Sequence, residues 1–210
     1  MCTTKEDNVP KNSFSVCHVN VRSILCTSEG GPSRFELLCD LLVKQNDFDV
    51  VALTETHIDS NIDSSLISID GYSLFRKDRN RSGGGVAMYV KHSLCPKLLF
   101  NINKFSSESL FVKTQIGKKS ITFGVCYRPP NQLNVDRDSF FDCLTEQLST
   151  VCKNKTNGVT ILLGDYNDKC TVWCSDHSQS ELGLSLVNLF NEFNMHQMIS
   201  SPTRGENLLD

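Results

Sequence analysis

The stretch that decides the fold is Val159-Thr160-Ile161-Leu162-Leu163-Gly164-Asp165-Tyr166-Asn167. Its first five residues form an apolar, β-branched run that predicts a strand buried on both faces. Glycine then frees the backbone, and a carboxylate, an aromatic ring and an amide follow the strand. A second segment repeats this arrangement, since Val50-Val51-Ala52-Leu53 runs into Thr54-Glu55-Thr56. Because a buried carboxylate is costly unless it holds a cation or a hydrogen-bond network, the pair predicts a metal-dependent site along one rim of a sheet.

Composition restricts the class of protein. The chain has 210 residues, of which 39% are hydrophobic and 21% charged, as is typical of one soluble globular domain. A net charge of −3 argues against a diffuse nucleic-acid binder but permits a local basic patch. No apolar run approaches the ~18 residues that a membrane span needs, and residues 1–8 lack the apolar core of a signal peptide. We therefore expect an intracellular protein, nuclear or cytoplasmic, with a polar tail over residues 1–12 and a folded domain over residues 13–210.

The ten cysteines are expected to be reduced thiols in such a compartment. Five of them lie in apolar periodic segments, where a thiol acts as a small hydrophobic side chain: Cys17, Cys39, Cys126, Cys143 and Cys152. Cys170, Cys174 and His177 imitate half of a zinc site, but a structural zinc site needs four ligands and no second pair follows.

The order of predicted elements favours an α/β layered domain. A strand over Phe14–Asn20, a helix opened by the Ser33/Glu36 capping box and ending near Gln45, and a buried strand over Asp49–Thr54 form a parallel crossover. Further elements are predicted from periodicity and turn residues: strands over 72–77, 86–90, 110–116 and 121–127, the last two joined as a hairpin, and a helix over 138–152. Ser178 and Glu181 form a second capping box that opens a helix through Phe193. A final strand is predicted over Met195–Ile199.

Four predicted strands end in residues able to do chemistry: Asn20, Glu55, Tyr127, and Asp165 with Asn167. Each residue alone also fits a structural role, because a strand-terminal Asn closes turns and a tyrosine is often a core residue with a solvated hydroxyl. If the strands are neighbours, all five residues converge on the edge where open sheets place their ligand crevices.

With these residues in place, the chain resembles the endonuclease/exonuclease/phosphatase superfamily, and more narrowly the endonuclease domain of LINE-type (non-LTR) retrotransposons. The motifs that carry the resemblance occur in the family's order: Asn20-Val21-Arg22-Ser23, Leu53-Thr54-Glu55-Thr56, Gly83-Gly84-Gly85-Val86-Ala87, Tyr127-Arg128-Pro129-Pro130, Gly164-Asp165-Tyr166-Asn167, Ser201-Pro202-Thr203-Arg204-Gly205 and Leu209-Asp210. The resemblance implies a four-layer sandwich of two mixed β-sheets flanked by helices, with the last strands of the family's fold missing.

The resemblance also implies roles. Glu55 would be the principal ligand of Mg²⁺, with Mn²⁺ as an alternative, and Asn20 would support the metal and phosphate end. Asp165 would orient or deprotonate the attacking water, and Asn167 would hold that water or the scissile phosphate. Tyr127 would donate its hydroxyl to a phosphate oxygen, while Arg128 and Thr203 would contact substrate. The implied partners are DNA and, in a full-length element, a covalently linked reverse transcriptase domain.

The family's closing Asp-His pair does not follow in this sequence. Asp210 matches the carboxylate that supports the family's histidine, and the chain ends there. Ser175-Asp176-His177 spells the same signature but lies ahead of its place in the family's order, so a capping loop is the simpler interpretation. We therefore expect a truncated gene product with little activity.

A basic loop over residues 76–81 is the best candidate for DNA-phosphate contacts, with Arg79 and Arg81 as the contacting residues, although a solvated loop explains it equally well. The favoured hypothesis is a Mg²⁺-dependent endonuclease that nicks target DNA. The alternatives are a phosphatase of the same superfamily, acting on a phosphoinositide or another phosphate ester, and a catalytically dead remnant that only binds.

Overall fold

The computed structural model of the chain describes residues 13–27, 29–99, 107–117, 119–130, 134–153, 158–168 and 180–199. The strands are β1 (Val16–Asn20), β2 (Val50–Thr54), β3 (Tyr72–Lys77), β4 (Val86–Lys91), β5 (Lys97–Leu98), β6 (Glu108–Ile116), β7 (Lys119–Tyr127) and β8 (Gly158–Asp165). The α-helices are α1 (Arg34–Leu38), which continues as a π-helix over Cys39–Lys44, α2 (Asn134–Lys153) and α3 (Glu181–Glu192). Short 3₁₀ turns occupy Ser64–Ile67 and His92–Leu94.

The strands form two mixed sheets of four strands each. Sheet I has the order β1-β2-β4-β3, with β1 and β2 parallel and the other pairs antiparallel. Sheet II has the order β5-β6-β7-β8, with β7 and β8 parallel. The predicted parallel crossover from β1 to β2 and the predicted hairpin of β6 and β7 are therefore confirmed.

Apolar side chains place the two sheets face to face. The core between them contains Val50, Met88, Val90, Val112, Phe123 and Val125. A second cluster, which includes Leu38 of α1, covers the outer face of sheet I, and a third, with residues of α2 and α3, covers the outer face of sheet II. The expected four-layer sandwich of two mixed sheets flanked by helices is confirmed.

Two local predictions are wrong. The N-cap of α3 is Ser180, whose Oγ accepts the Gly183 N–H at 2.8 Å and donates to Asp168 Oδ1 at 2.6 Å. The predicted cap residue Ser178 lies outside the described residues, and the deciding contact is with the segment after β8, which no local pattern reveals. Residues 195–199 form no strand, because Asn194 adopts a left-handed φ of 52° and the Met195 N–H turns back to cap α3 at Phe190 O, 2.9 Å away.

The cysteines that the structure describes are all free thiols, and Cys126 is fully buried in sheet II. Burial raises the pKa of the Cys126 thiol, so it behaves as a hydrophobic side chain, as predicted. Cys170, Cys174 and His177, the zinc alternative, lie outside the described residues.

Candidate active site

The parallel pair β1 and β2 brings the first two candidate residues together. Asn20 ends β1 opposite Thr54, the last residue of β2, so Glu55 emerges beside it. The Asn20 Nδ2 donates to Glu55 Oε1 at 2.6 Å. The backbone N–H of Val21 continues the pairing to Thr54 O at 3.0 Å, which holds the two strand ends in this register.

Sheet II supplies the other candidate residues. Tyr127 and Asp165 are register partners at the ends of β7 and β8. The Asn20 Nδ2 also donates to Asp165 Oδ2 at 3.0 Å, and the Tyr127 hydroxyl lies 3.4 Å from Glu55 Oε1. The predicted residues therefore do meet. However, they meet between the ends of two facing sheets, and not along one rim of a single sheet as predicted.

The backbone at the site adopts an uncommon conformation. Glu55, His57 and Asn167 have φ values of 54°, 50° and 49°, in the left-handed region that non-glycine residues rarely occupy. Such residues cost roughly 1–3 kcal/mol each and persist only where neighbouring contacts hold them. Here Ser23 N donates to Glu55 O at 2.8 Å. This concentration of strain at the carboxylates is typical of a functional site.

Asp165 and Asn167 are held by a turn that Arg128 closes. Asp165 Oδ1 accepts the Asn167 N–H at 2.9 Å, and Asn167 Nδ2 donates to Arg128 O at 2.8 Å. The Arg128 guanidinium donates to the carbonyl oxygens of Tyr166 at 2.7 Å, Asn167 at 2.9 Å and Pro129 at 3.1 Å. Arg128 is only 4% exposed. Its donors are thus directed into the protein, so the structure makes it a residue that shapes the turn, in contrast to the predicted substrate contact.

Gly164 is required immediately before Asp165. It pairs with Cys126 in the register of β7 and β8, and its φ is 151°. A Cβ at this position would overlap the carbonyl oxygen of Cys126. The absence of a side chain therefore allows the two strands to approach where the site begins.

The electrostatic surroundings keep Tyr127 protonated. Burial, and after it the negative charges of Glu55 and Glu108, raise the pKa of Tyr127 to about 12. Its hydroxyl therefore remains a hydrogen-bond donor at neutral pH. A neutral donor beside two carboxylates can contact an anionic substrate oxygen without adding charge of its own.

The donor set fits a hard divalent cation. Glu55 presents a carboxylate whose side chain is 18% exposed, and Asp165 presents another that Asn20 holds beside it. One or two carboxylates, with water and phosphate oxygens, are the ligands that Mg²⁺ prefers. Asn20 would bind a metal through its amide oxygen, and in this structure that oxygen accepts the Arg22 N–H at 3.2 Å. Asn20 is therefore a bridge between the carboxylates in this structure.

The arginines of the basic loop over residues 76–81 differ in their contacts and in their exposure. Arg79 Nη1 is paired with Glu108 Oε1 at 2.6 Å, and Arg81 Nε lies 3.1 Å from Asp59 Oδ2 with 64% of its side chain exposed. Arg76 donates to the carbonyl oxygens of Asp59 and Ile62 at 3.1 and 2.7 Å and is paired with Asp78. Arg81 is thus the arginine of this loop that is best placed to reach a substrate.

Other predicted residues lie beyond what the structure describes. These are Thr203, Asp210 and the Ser175-Asp176-His177 triplet. Three residues that sequence reasoning did not select lie beside the site. His57 Nε2 is 3.5 Å from Glu55 Oε2. Thr56 Oγ1 is buried without a hydrogen-bond partner in the described part of the chain. Glu108 Oε1 accepts a hydrogen bond from Arg79 Nη1 at 2.6 Å. The position of Glu108 directly opposite Tyr127 in the hairpin is the signal that points to it.

An apolar groove of about 1030 Å³ runs along β8 beside α3, and its lining includes His18 and Gly164 but neither Glu55 nor Asp165. It therefore adjoins the carboxylate site without containing it. Among the residues that the structure describes, no helix is long and apolar enough to cross a membrane.

Comparison with known proteins identifies sequences that are similar to this chain. A family model described as "Endonuclease/Exonuclease/phosphatase family" matches residues 17–197. A curated relative, the "Probable RNA-directed DNA polymerase from transposon X-element" of Drosophila melanogaster, is 26% identical over 152 residues, which are 71% of this chain. The match covers only 15% of that relative's length.

Solved structures show the same fold. The endonuclease domain of TRAS1, a telomere-specific non-LTR retrotransposon, is 17% identical with a TM-score of 0.61, and the match covers 91% of this chain and 76% of that one. The 3'-5' exonuclease NExo from Neisseria meningitidis is 17% identical with a TM-score of 0.57, covering 84% and 70%. The mannosyl-6-phosphatase Bt3783 of Bacteroides thetaiotaomicron is 14% identical with a TM-score of 0.55, covering 84% and 70%. The fold thus occurs in both nucleases and phosphatases.

Proposed function

Because this chain belongs to the endonuclease/exonuclease/phosphatase family and is therefore a hydrolase by family, we propose that it is a Mg²⁺-dependent endonuclease that nicks DNA. The observation that carries the proposal is the Asn20 amide, which donates to Glu55 and Asp165 at 2.6 and 3.0 Å. One neutral donor holds two carboxylates side by side, and the Tyr127 hydroxyl faces them. Hydrolysis of a phosphodiester needs such a set, with a metal ligand, a base for water and a donor to the phosphoryl oxygens.

Glu55 holds the cation in this proposal. Its Oε1 is shared by Asn20 and Tyr127, which leaves Oε2 directed toward His57 and available to a metal. When bound, Mg²⁺ supplies neutralisation of the charge that develops on the phosphoryl oxygens. Glu55 has a left-handed backbone directly after β2, and 18% of its side chain is exposed, where a cation can approach.

Asp165 orients the attacking water and accepts its proton. The water oxygen forms a bond to phosphorus while the bond from phosphorus to the leaving oxygen breaks. The leaving oxygen keeps the electron pair of that bond and takes up a proton from solvent. Asn20 and the Asn167 N–H fix the two oxygens of Asp165, so the carboxylate is preorganised for this task. Tyr127 donates its hydroxyl to a phosphoryl oxygen, and its raised pKa keeps the proton on the residue throughout.

DNA is the proposed substrate, because the relatives from transposable elements carry nuclease and polymerase names. Arg81, with its exposed side chain, is the proposed contact to DNA phosphate. We also propose that the domain works beside an RNA-directed DNA polymerase, as the name of its curated relative suggests.

The test combines three substrates and three variants. The purified chain is incubated with Mg²⁺ and supercoiled plasmid, with p-nitrophenyl phosphate as a phosphomonoester, and with a phosphoinositide. Asp165→Asn and Glu55→Gln are compared with Glu146→Gln, which alters an exposed carboxylate on α2. We expect only slow conversion of plasmid to open circles, in keeping with the little activity expected from the sequence, a loss of about 10²–10⁴ in rate for Asp165→Asn, and no effect of Glu146→Gln.

Metal binding is measured separately, by calorimetry with Mg²⁺ and by the electron paramagnetic resonance of Mn²⁺. Glu55→Gln should weaken binding while its circular dichroism stays that of the wild type. Cleavage of the phosphomonoester or phosphoinositide alone would transfer the activity to the phosphatase alternative. Metal uptake and DNA binding with no cleavage of any substrate would leave the binding-only alternative in its place.

A further inference from the structure

Glu108 of sheet II forms hydrogen bonds to the loop that follows β3 in sheet I. Its carboxylate is only 11% exposed in the ion pair with Arg79. Oε1 accepts Arg79 Nη1 at 2.6 Å, and Oε2 accepts the backbone N–H of Gly85. Arg79 Nε in turn donates to Gly83 O at 2.9 Å. The turn over residues 83–85 is therefore tied to sheet II twice, directly and through Arg79.

The same turn holds the segment that carries Glu55. Gly85 O accepts the Thr56 N–H at 3.2 Å, and Gly84 O accepts the His57 N–H at 2.9 Å. These two amides belong to the residues directly after Glu55. Because Glu55 and His57 both have left-handed backbones, the segment depends on such contacts to keep its conformation.

We propose that Glu108 is a positioning residue that sets the backbone conformation of Glu55 through the turn over residues 83–85. The inference rests on the proposed function, in which Glu55 is the metal ligand. Glu108 also lies directly opposite Tyr127 in the register of β6 and β7. One residue of sheet II thus contacts both halves of the site, because its backbone pairs with Tyr127 and its side chain accepts the Gly85 N–H of the turn in sheet I.

The geometry explains why a carboxylate is needed at this position. Two donors approach two different oxygens, so an ionised glutamate satisfies both. A glutamine of the same shape has one acceptor oxygen and therefore leaves either Arg79 or the Gly85 N–H facing its amide group. The turn packs closely against the segment after Glu55, since a Cβ at Gly85 would lie 2.5 Å from Thr56 Oγ1. Arg79 is occupied by this contact, which is why we assign it to positioning and leave DNA contact to Arg81.

The experiment uses the full 210-residue chain without metal and compares Glu108→Gln, Arg79→Ala and the double variant with the control Glu146→Gln. Amide hydrogen exchange is measured at Thr56, His57 and Gly85. We expect Glu108→Gln to speed exchange at Thr56 and His57 about tenfold, the order of effect that follows when a buried donor loses its partner. In the double variant the glutamine oxygen is free to turn to the Gly85 N–H, so we expect exchange there to return toward the wild-type rate.

A second measurement titrates the same variants with Mn²⁺. Glu108→Gln should weaken Mn²⁺ binding by roughly tenfold, although the side-chain contacts of Glu108 are with Arg79 and the Gly85 N–H, and the double variant should recover part of the loss. Wild-type exchange at Thr56 and His57 in Glu108→Gln would overturn the proposal, as would equal losses in the single and double variants. Absence of Mn²⁺ binding in the wild-type chain would refute the metal site of the proposed function, while the metal-free exchange rates would still decide the role of Glu108.

Discussion

Replacement of Arg128 by lysine should reveal whether this residue shapes the site or contacts substrate. Its guanidinium makes three hydrogen bonds to backbone carbonyl oxygens of Tyr166, Asn167 and Pro129, and only 4% of the residue is exposed. Lysine retains the charge but has a compact ammonium group in place of the planar fork. It can therefore reach one or two of these oxygens and leaves at least one without a partner.

The size of the effect follows from the lost contacts. A hydrogen bond from a charged donor contributes about 1.5–3 kcal/mol, so the loss of one or two should reduce the free energy of unfolding by roughly 3 kcal/mol. In a domain of this length that corresponds to a drop in melting temperature of roughly 6–12 °C. The turn with Asp165 and Asn167 should loosen too, so kcat should fall more than KM rises.

The assay is thermal and urea unfolding followed by circular dichroism, beside steady-state cleavage of plasmid. Arg81→Lys is the matched control, because its arginine is 64% exposed in a surface ion pair with Asp59 and such pairs contribute about 0–1 kcal/mol. An Arg128→Lys chain with unchanged stability and a raised KM would refute the reasoning, since that outcome is expected of a substrate contact.

Three further predictions concern strand packing, pH and DNA. Gly164→Ala should reduce the free energy of unfolding, measured in urea, by several kcal/mol, because its Cβ would overlap Cys126 O. Gly158→Ala in the same strand should change it little, because Ser120 O lies 3.6 Å from the position of its Cβ. Equal effects of the two substitutions would contradict this account. Burial lowers the pKa of Lys77 from 10.5 to about 8, so between these pH values the unfolded chain binds a proton that the folded chain has lost. Lys77 therefore makes the free energy of unfolding rise with pH over that window. This rise should be lost in Lys77→Met and kept in the exposed-residue control Lys113→Met, and a fall in stability with pH that Lys77→Met removes would disprove the assignment. Arg81→Gln should reduce the slope of log DNA affinity against log salt concentration by about 0.9. Arg79→Gln should reduce this slope less, because Arg79 is paired with Glu108. An unchanged slope for Arg81→Gln would show that Arg81 faces solvent and does not contact DNA.

Much of the architecture could be predicted from local sequence. The predicted strand over residues 72–77 matches β3 residue for residue, and the crossover from β1 to β2 has the expected parallel register. These elements were predictable because alternation, apolar runs and turn residues act over a few neighbouring positions. The end of α3 was not, since the chain after Glu192 is decided by the cap at Phe190 O and by what the segment packs against.

The candidate site was also predictable from the sequence only in part. The sequence by itself determined the types of residue, because a carboxylate, amide or hydroxyl after a buried strand is costly unless it has a function or a partner. It also determined the glycine at position 164, which precedes Asp165. The family resemblance rested on the order of these motifs, which is a property of the sequence alone.

Only the tertiary structure decided what each side chain does. Asn20 became the bridge between Glu55 and Asp165 because two sheets face each other with their strand ends aligned. Arg128 was directed inward and Arg79 was occupied by Glu108, although both arginines had been expected to contact substrate. The physical reason is that a hydrogen bond depends on distances of about 3 Å and on direction. Residues as far apart in the chain as Asn20 and Asp165 acquire that geometry only when the two sheets pack.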